Sequence, residues 1–279
     1  MRIRTAAKTH PGMVRELNED AIFSQSITTT DGTPLALLVV CDGMGGHLGG
    51  ELASRWAIES IKSEFKDLFS LPDSHRTVQL SDAEIHAALN PDQPHPTALL
   101  PASELFQRID RAVKKANQVV YTYAQRKPAE AADAGTTLTL ALVSDDLALI
   151  ANVGDSRTYL VRDGKLIQLT QDHSLVASLV AAGQIKPGDI YSHPQRNIIF
   201  RSLGSKNEVS ADISEQPLQP GDTLMLCSDG LWEMIPNNRH ILKIIQHAAS
   251  LEQACEKLIQ AANAGGGDDN ISVILASFD

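Results

Sequence analysis

The sequence predicts an α+β protein built on antiparallel sheets, and two observations carry that prediction. Apolar, β-branched runs are joined by turns of two or three residues, too short for the helical crossover that parallel strands require. Strands and helices are also grouped rather than alternating, which argues against a doubly wound parallel sheet. No composition shift or linker divides the 279 residues, so residues 1–279 read as one domain, a length that can enclose a large core.

Along the chain, Met1 to Thr5 reads as the basic start of a strand. Leu35 to Cys41 is a continuous apolar run that stops at Asp42, the pattern of a buried strand. After the glycine-dense stretch Gly43-Met44-Gly45-Gly46, the residues Leu52, Trp56, Ile61, Phe65 and Leu68 recur at helical spacing. A second long helix is predicted from Ser103 to Arg126, with Leu105, Ile109, Val113, Ala116, Val120 and Tyr123 as its stripe. Between the two helices, residues 70–102 hold five prolines and read as a loop-like insertion with one short helix near 82–89. Strands follow at 136–143, 147–153, 157–161 and 165–169, the last two flanking the hairpin signal Arg162-Asp163-Gly164. A short helix over 174–182 leads into a polar, mobile-looking segment at 184–208. Residues 222–227 form another strand ending near an acid, Asp229. Helices at 238–248 and 251–262 and a final strand at 271–278 complete the pattern.

Composition narrows the function. Apolar residues make up 43% of the chain, which fits a globular protein, and the net charge is −10. An acidic chain has no electrostatic footprint for nucleic acid or an anionic membrane surface. No apolar run approaches the roughly 18 residues of a membrane span, and no signal-peptide apolar region follows the N-terminus. Cys41, Cys227 and Cys255 are odd in number, widely spaced and in no CxxC pair, which favours a reducing compartment without disulfides or structural zinc. The expectation is a cytoplasmic, monomeric protein.

One feature repeats. Asp42 and Asp229 each follow an apolar strand and precede glycine, and Asp269 stands just before another strand. Acids at strand ends sit on the rim of a sheet, and the glycines let the backbone turn sharply. If the strands are neighbours the carboxylates converge, and converging carboxylates repel one another unless cations separate them. Oxygen ligands suit Mg²⁺ or Mn²⁺. Asp-Gly is equally ordinary turn chemistry, the reading given to Asp31-Gly32 and Asp163-Gly164, and spacing alone leaves both readings open. Competing motifs fail: the glycine loop lacks the Gly-Lys-Ser/Thr of a P-loop, Leu48 interrupts a GxGxxG beginning at Gly43, and no EF-hand, HExxH or GxSxG pattern occurs.

Seven short words then fall in order: Arg15-Glu16-Leu17-Asn18-Glu19-Asp20-Ala21, Asp42-Gly43-Met44-Gly45-Gly46-His47, Gly135-Thr136-Thr137, Val153-Gly154-Asp155-Ser156-Arg157, Leu169-Thr170-Gln171-Asp172-His173-Ser174, Ser228-Asp229-Gly230-Leu231-Trp232 and Asp269-Asn270. Their order resembles the bacterial form of the metal-dependent protein phosphatases, the type 2C serine/threonine family, over nearly the whole chain. The resemblance implies two antiparallel sheets packed face to face with helices outside each, an αββα sandwich. It implies a binuclear Mg²⁺ or Mn²⁺ centre in which Asp42 bridges the ions, Gly43 offers its carbonyl, Asp229 and Asp269 complete one side, and Asp20 with Glu19 orders water on the other. By the same resemblance Arg15 grips the substrate phosphate, Asp155 belongs to a weaker third ion, and residues 184–205 form a flap beside the cleft. The implied reaction is in-line hydrolysis of phosphate monoesters on phosphoserine and phosphothreonine proteins by a metal-activated water, with a serine/threonine kinase as signalling counterpart.

Two departures stand out. Eukaryotic relatives carry histidine where Met44 stands, and methionine cannot donate a proton. The insertion at 70–102 is longer than in minimal bacterial members. The alternative function is a catalytically weak phosphatase-fold module that binds phosphoproteins or regulates without turnover. A chromogenic phosphate ester assay with Mn²⁺ separates the two. His47 and His173 read as structural hydrogen-bonders, and Cys41 and Cys227 as buried strand cysteines.

Overall fold

The structure is a computed structural model that describes residues 1–29, 32–45, 49–69, 100–126 and 134–279. The insertion's predicted helix near 82–89, and His47, lie outside the described residues.

Ten strands make two five-stranded antiparallel sheets. The first has the order β1 (Ile3–His10), β12 (Ile271–Phe278), β11 (Thr223–Cys227), β8 (Arg157–Arg162), β9 (Lys165–Gln168). The second runs β10 (Asp212–Pro217), β7 (Leu147–Val153), β6 (Leu138–Ser144), β3 (Pro34–Cys41), β2 (Ala21–Thr28). A two-residue ladder joins β4 (Gly43–Met44) to β5 (Gly135–Thr136).

Successive side chains of a strand point to opposite faces, and both faces of these sheets are covered. On β3, Ala36, Leu38 and Val40 join Leu160, Leu224, Leu226, Ile274 and Phe278 of the other sheet in the inter-sheet core. Leu35, Leu37, Val39 and Cys41 face outward and pack under α1 (Gly49–Phe65) and α2 (Ala102–Arg126). The unbroken apolar run of β3 therefore reflects a strand buried on both sides. On the opposite flank Tyr159, Met225, Cys227, Val273 and Leu275 pack against α4 (Asp229–Trp232), α5 (Asn238–His247) and α6 (Leu251–Ala264). A shorter helix, α3 (Leu175–Ala181), starts from the Ser174 cap, whose side chain accepts from the Ala177 N–H. The hairpin at Asp163-Gly164 is the turn the sequence predicts, with φ of 50° and 68°.

Two elements depart from the prediction. The buried face of α1 is Ala53, Ala57, Ile58, Ile61 and Phe65, with Leu52 and Trp56 only half-buried. Alanines on that face let the helix lie close to β5 and α2, which rotates the larger side chains toward the rim. Trp56 instead meets Tyr123 edge-on at 4.2 Å. Strands β2 and β10 lack an apolar run because both are sheet edges: Ala21, Phe23, Ile27 and Ile213 pack on the helix side, and polar Ser24, Ser26, Asp212, Ser214 and Gln216 alternate with them.

Truncating Leu38, fully buried between the sheets, leaves a cavity that neither rigid sheet can close. Leu38→Ala is expected to cost about 2–5 kcal/mol of stability. A urea midpoint that does not move would contradict this account of the core.

Candidate active site

Antiparallel register decides where the acids go. Cys41 at the end of β3 pairs with Ala21 at the start of β2, and Val153 at the end of β7 pairs with Leu138 at the start of β6. In the other sheet Cys227 pairs with both Val273 and Arg157, and His10 pairs with Ile271. Each acid-bearing word sits at one of these ends. The result is one open cleft of about 510 Å³ at a single end of the sandwich, lined by Asp42, Gly43, Asp155, Asp229 and Asp269, with Arg15 and Glu19 on its wall. Two other hollows flank α1 and are lined by Phe23, Lys62, Trp56 and Tyr123 among others, and neither approaches the acids.

Asp42 is held by its backbone. Its N–H donates to Thr137 Oγ1 at 3.0 Å, and its carbonyl accepts from the Thr136 hydroxyl at 2.9 Å and the Thr137 N–H at 2.8 Å. Thr137 Oγ1 also meets Ser156 Oγ at 2.7 Å across the two sheets. Asp229 opens α4, where unpaired backbone N–H groups favour negative charge. Asp155 is buried, and its carbonyl accepts the Trp232 indole N–H at 3.1 Å. Asp269 accepts the Arg15 guanidinium at 2.8 Å and the Asn270 N–H at 2.8 Å. Arg15, read from sequence as a free grip for phosphate, is thus paired with a candidate ligand at the cleft mouth. Glu19 is on the wall, whereas Asp20 is buried behind it with Ser228 Oγ donating to its Oδ2 at 2.8 Å.

The sequence marked His173 as a structural hydrogen-bonder but assigned no task to Asn270 and Ser54, which also hold this arrangement. The Asn270 side-chain amide donates to the carbonyls of Pro11 (3.0 Å) and Leu17 (2.9 Å), and its oxygen accepts the Glu19 N–H at 2.8 Å. It therefore stitches the Arg15 loop to the start of β12. Ser54 Oγ donates to the Glu19 carbonyl at 2.6 Å. His173 Nδ1 accepts the Gly154 N–H at 3.0 Å, which leaves the ring proton on Nε2, facing Asp212 at 3.1 Å. The signal available for Asn270 and His173 was their place in the seven words, whereas Ser54 stands in none of them. The glycines after Asp42 and Asp229 are needed for close backbone approach: a Cβ on Gly43 would lie 2.3 Å from the Gly50 carbonyl oxygen, and one on Gly230 would lie 2.2 Å from that of Asn270.

The electrostatics are strained. Burial, then the charges of Asp20, Asp229 and Asp155, push the Asp42 carboxyl well above its ordinary value. Burial, then Asp229 and Asp172, does the same for Asp155. Burial raises Asp229, with Asp269 adding to the rise, and burial lifts Asp20 to about 7. The Asp42 and Asp229 carboxyls lie close enough for each to shift the other. Buried oxygens Asp20 Oδ1 and Asp229 Oδ1 have no partner. Unpartnered buried carboxylate oxygens in a set of oxygen donors fit hard divalent cations. Among the described residues no three His, Cys, Asp or Glu side chains are placed so that together they hold a metal ion. The acids ring an open cleft, as suits ions that keep several waters. Cys41 and Cys227 lie on the outer faces of the sheets, and burial raises both thiols far above the ordinary value, so neither is reactive.

A two-sheet antiparallel sandwich with this acid-lined end defines a class, and the chain belongs to it: residues 13–265 match the family Protein phosphatase 2C. Over 274 residues it is 34% identical to the serine/threonine phosphatase stp of Listeria monocytogenes, covering 98% of this chain and 94% of that protein. Among solved structures it superposes on the serine/threonine phosphatase Stp1 from Staphylococcus aureus with a TM-score of 0.79 at 32% identity, covering 100% of this chain and 96% of that one. It also superposes on the catalytic domain of the serine threonine protein phosphatase PstP in complex with two manganese ions, with a TM-score of 0.75 at 30% identity over 99% of each chain.

Without ions, the raised carboxyls make the folded state hold more protons than the unfolded chain, so these groups lower stability as pH rises from about 4 through about 7. Cations displace those protons. The gain in melting temperature on adding Mn²⁺ to chelator-treated protein should therefore grow between about pH 5 and about pH 8. A gain independent of pH would mean that the acids do not take up the ions.

Proposed function

We propose that this chain is a metal-dependent serine/threonine phosphoprotein phosphatase whose site consists of Asp42, Gly43, Asp155, Asp229, Asp269, Asp20, Glu19 and Arg15. The observation that carries the reading is the convergence of Asp42, Asp155, Asp229 and Asp269 on one cleft with Arg15 at its mouth. Residues 1–279 act as one catalytic unit, with 184–205 as a flap bordering the cleft. Among the described residues no helix is long and apolar enough to cross a membrane, which agrees with a cytoplasmic site of action on phosphoproteins, opposite a serine/threonine kinase and as a monomer.

Two divalent ions bound here supply the acidity that makes a water nucleophilic near neutral pH and the charge that offsets the phosphate. The chain's own residues do the rest. Asp42, clamped by the Thr136-Thr137 backbone and hydroxyls, presents its carboxylate in one fixed place between Asp229 and Asp155. Asp229 and Asp269 close one side, and Gly43, beside Glu19 and Gly50, offers its carbonyl to the cleft. Glu19 orders water from its own wall, with Asp20 behind it. The Arg15 guanidinium, a planar fork with several donors, can hold the phosphate while keeping one donor on Asp269. Among the described residues Thr137 carries the one hydroxyl on the cleft wall, and its oxygen is already committed to the Asp42 N–H and Ser156. Attack by water therefore needs no side-chain nucleophile. Met44 on the wall cannot protonate the leaving oxygen, so that proton comes from water or from a group other than residue 44.

Chelation should abolish phosphate release from phosphoserine and phosphothreonine peptides, and Mn²⁺ or Mg²⁺ should restore it. Asp42→Asn and Asp229→Asn should each retain less than about a tenth of the wild-type rate, a barrier increase above about 1.4 kcal/mol, with the fold intact. Full turnover in excess chelator would sink the reading.

Asp155→Ala gives a separate check. Calorimetric titration should show the tight sites unchanged, while turnover drops by at least about tenfold. Normal turnover across a Mn²⁺ series would make Asp155 a turn residue only.

A further inference from the structure

The walls of the cleft carry a feature that phosphate chemistry does not use. Eight large apolar side chains are exposed among the described residues, and five fall in two short segments: Met13, Val14 and Leu17 on one, Ile198 and Phe200 on the other. The first segment carries Arg15, and the second is the flap. Leu17, 48% exposed, and Ile199 between Ile198 and Phe200 both line the same cleft as the acids. Of the five exposed side chains Leu17 alone lines the cleft, and Ile199 is half-buried there, so the apolar surface that a ligand beside the acids would cover is formed by these two.

Neither wall owes its exposure to a loose backbone. The Leu17 carbonyl is held by the Asn270 amide at 2.9 Å, and the Met13 N–H donates to the Gly267 carbonyl at 2.8 Å. On the flap, Ile199 bridges Ser174 in antiparallel register. The Leu175 N–H donates to the Ile198 carbonyl at 2.8 Å, and the Phe200 N–H to that of His173 at 3.0 Å. Pre-formed walls lose little freedom on binding, so apolar contact there converts efficiently into affinity. A phosphate ion seated among the acids would leave these walls bare. A chain entering with a phosphorylated residue must pass between them.

Resting on the phosphatase reading, we propose that Leu17 and Ile199 form a two-sided apolar clamp that selects extended phosphopeptides bearing bulky aliphatic residues next to the phosphorylated residue. The clamp is continuous with the catalytic cleft, which fixes its occupant as the segment flanking the phosphate. Leu17 and Ile199 touch that segment and not the reacting atoms, so they set specificity rather than chemistry.

The test uses the full chain with Mn²⁺ and three substrates: capped phosphothreonine, a phosphothreonine peptide with leucine on either side, and the same peptide with glycine on either side. Wild type should prefer the leucine peptide by about tenfold in kcat/KM, mostly through KM. Leu17→Ser and Ile199→Ser should each reduce that preference, and the double variant should abolish it. Turnover of capped phosphothreonine should stay within about twofold throughout, which also shows that the variants fold. Equal use of the two peptides by wild type, or variants that slow both peptides alike, would overturn the clamp while leaving the phosphatase reading intact. Failure of wild type to release phosphate from all three substrates would instead overturn that reading and the clamp with it.

Discussion

The constraint on which the rest depends is the antiparallel register of the two sheets. Pairing Cys41 with Ala21, Cys227 with Val273 and Arg157, and His10 with Ile271 puts the ends of six strands at one pole of the sandwich. A slip of one residue in any pair would turn every side chain of that strand to the wrong face. Register is protected because each central strand is apolar on both faces, one set meeting the other sheet and one set meeting helices. The same burial that fixes the fold therefore fixes the carboxylates at the pole. It also makes them costly, because they are held in a poorly hydrated place near one another.

Much of this was legible in the sequence, for reasons that can be named. Strands such as β3 and β12 show themselves as unbroken apolar runs because they are covered twice. The long helix α2 shows a clean stripe because one face alone is covered. Edge strands β2 and β10 are invisible because polar residues break their apolar pattern, Ser24, Gln25 and Ser26 in β2 and Asp212, Ser214 and Glu215 in β10. Asp42, Asp229 and Asp269 could be picked out because each interrupts an apolar run at its end. Asp155 stood in a word of its own, with nothing in its spacing to tie it to the others.

What the sequence could not convey is who holds the acids. Asn270 joins the Arg15 loop to β12 through three hydrogen bonds, linking segments about 250 positions apart, which no local pattern reports. Thr136 and Thr137 read as strand residues, yet they clamp the Asp42 backbone. The Asp-Gly words were ambiguous for a physical reason as well. At Asp163 glycine serves a positive-φ turn, whereas at Asp42 and Asp229 it admits another segment's carbonyl against the backbone. Only the fold separates these two uses of one dipeptide.

The cations near the pole explain why the acids still call for metal. Arg157 is buried, donates to both oxygens of Asp172 at 2.6–3.1 Å and stacks on the Trp232 ring at 3.4 Å. Burial opposes its charge, but Tyr159 and Asp172 more than offset that and raise its pKa, so it stays a cation. Its charge is nevertheless matched by Asp172, and what it passes to the site is position: Trp232, held beneath it, donates to the Asp155 carbonyl. Arg196 of the flap is matched by Glu233 at 3.2 Å, and Arg15 by Asp269 at 2.8 Å. Each of these arginines is answered by one acid. The buried Asp20 and Asp155 and the half-buried Asp42 and Asp229 remain, close together, and none of these three guanidiniums donates to them. A protein that needed only structural stability would gain by replacing such acids with apolar residues. Their retention at the one pole where the cleft opens is intelligible as a seat for mobile divalent charge, supplied from solution and shared with the phosphate that arrives.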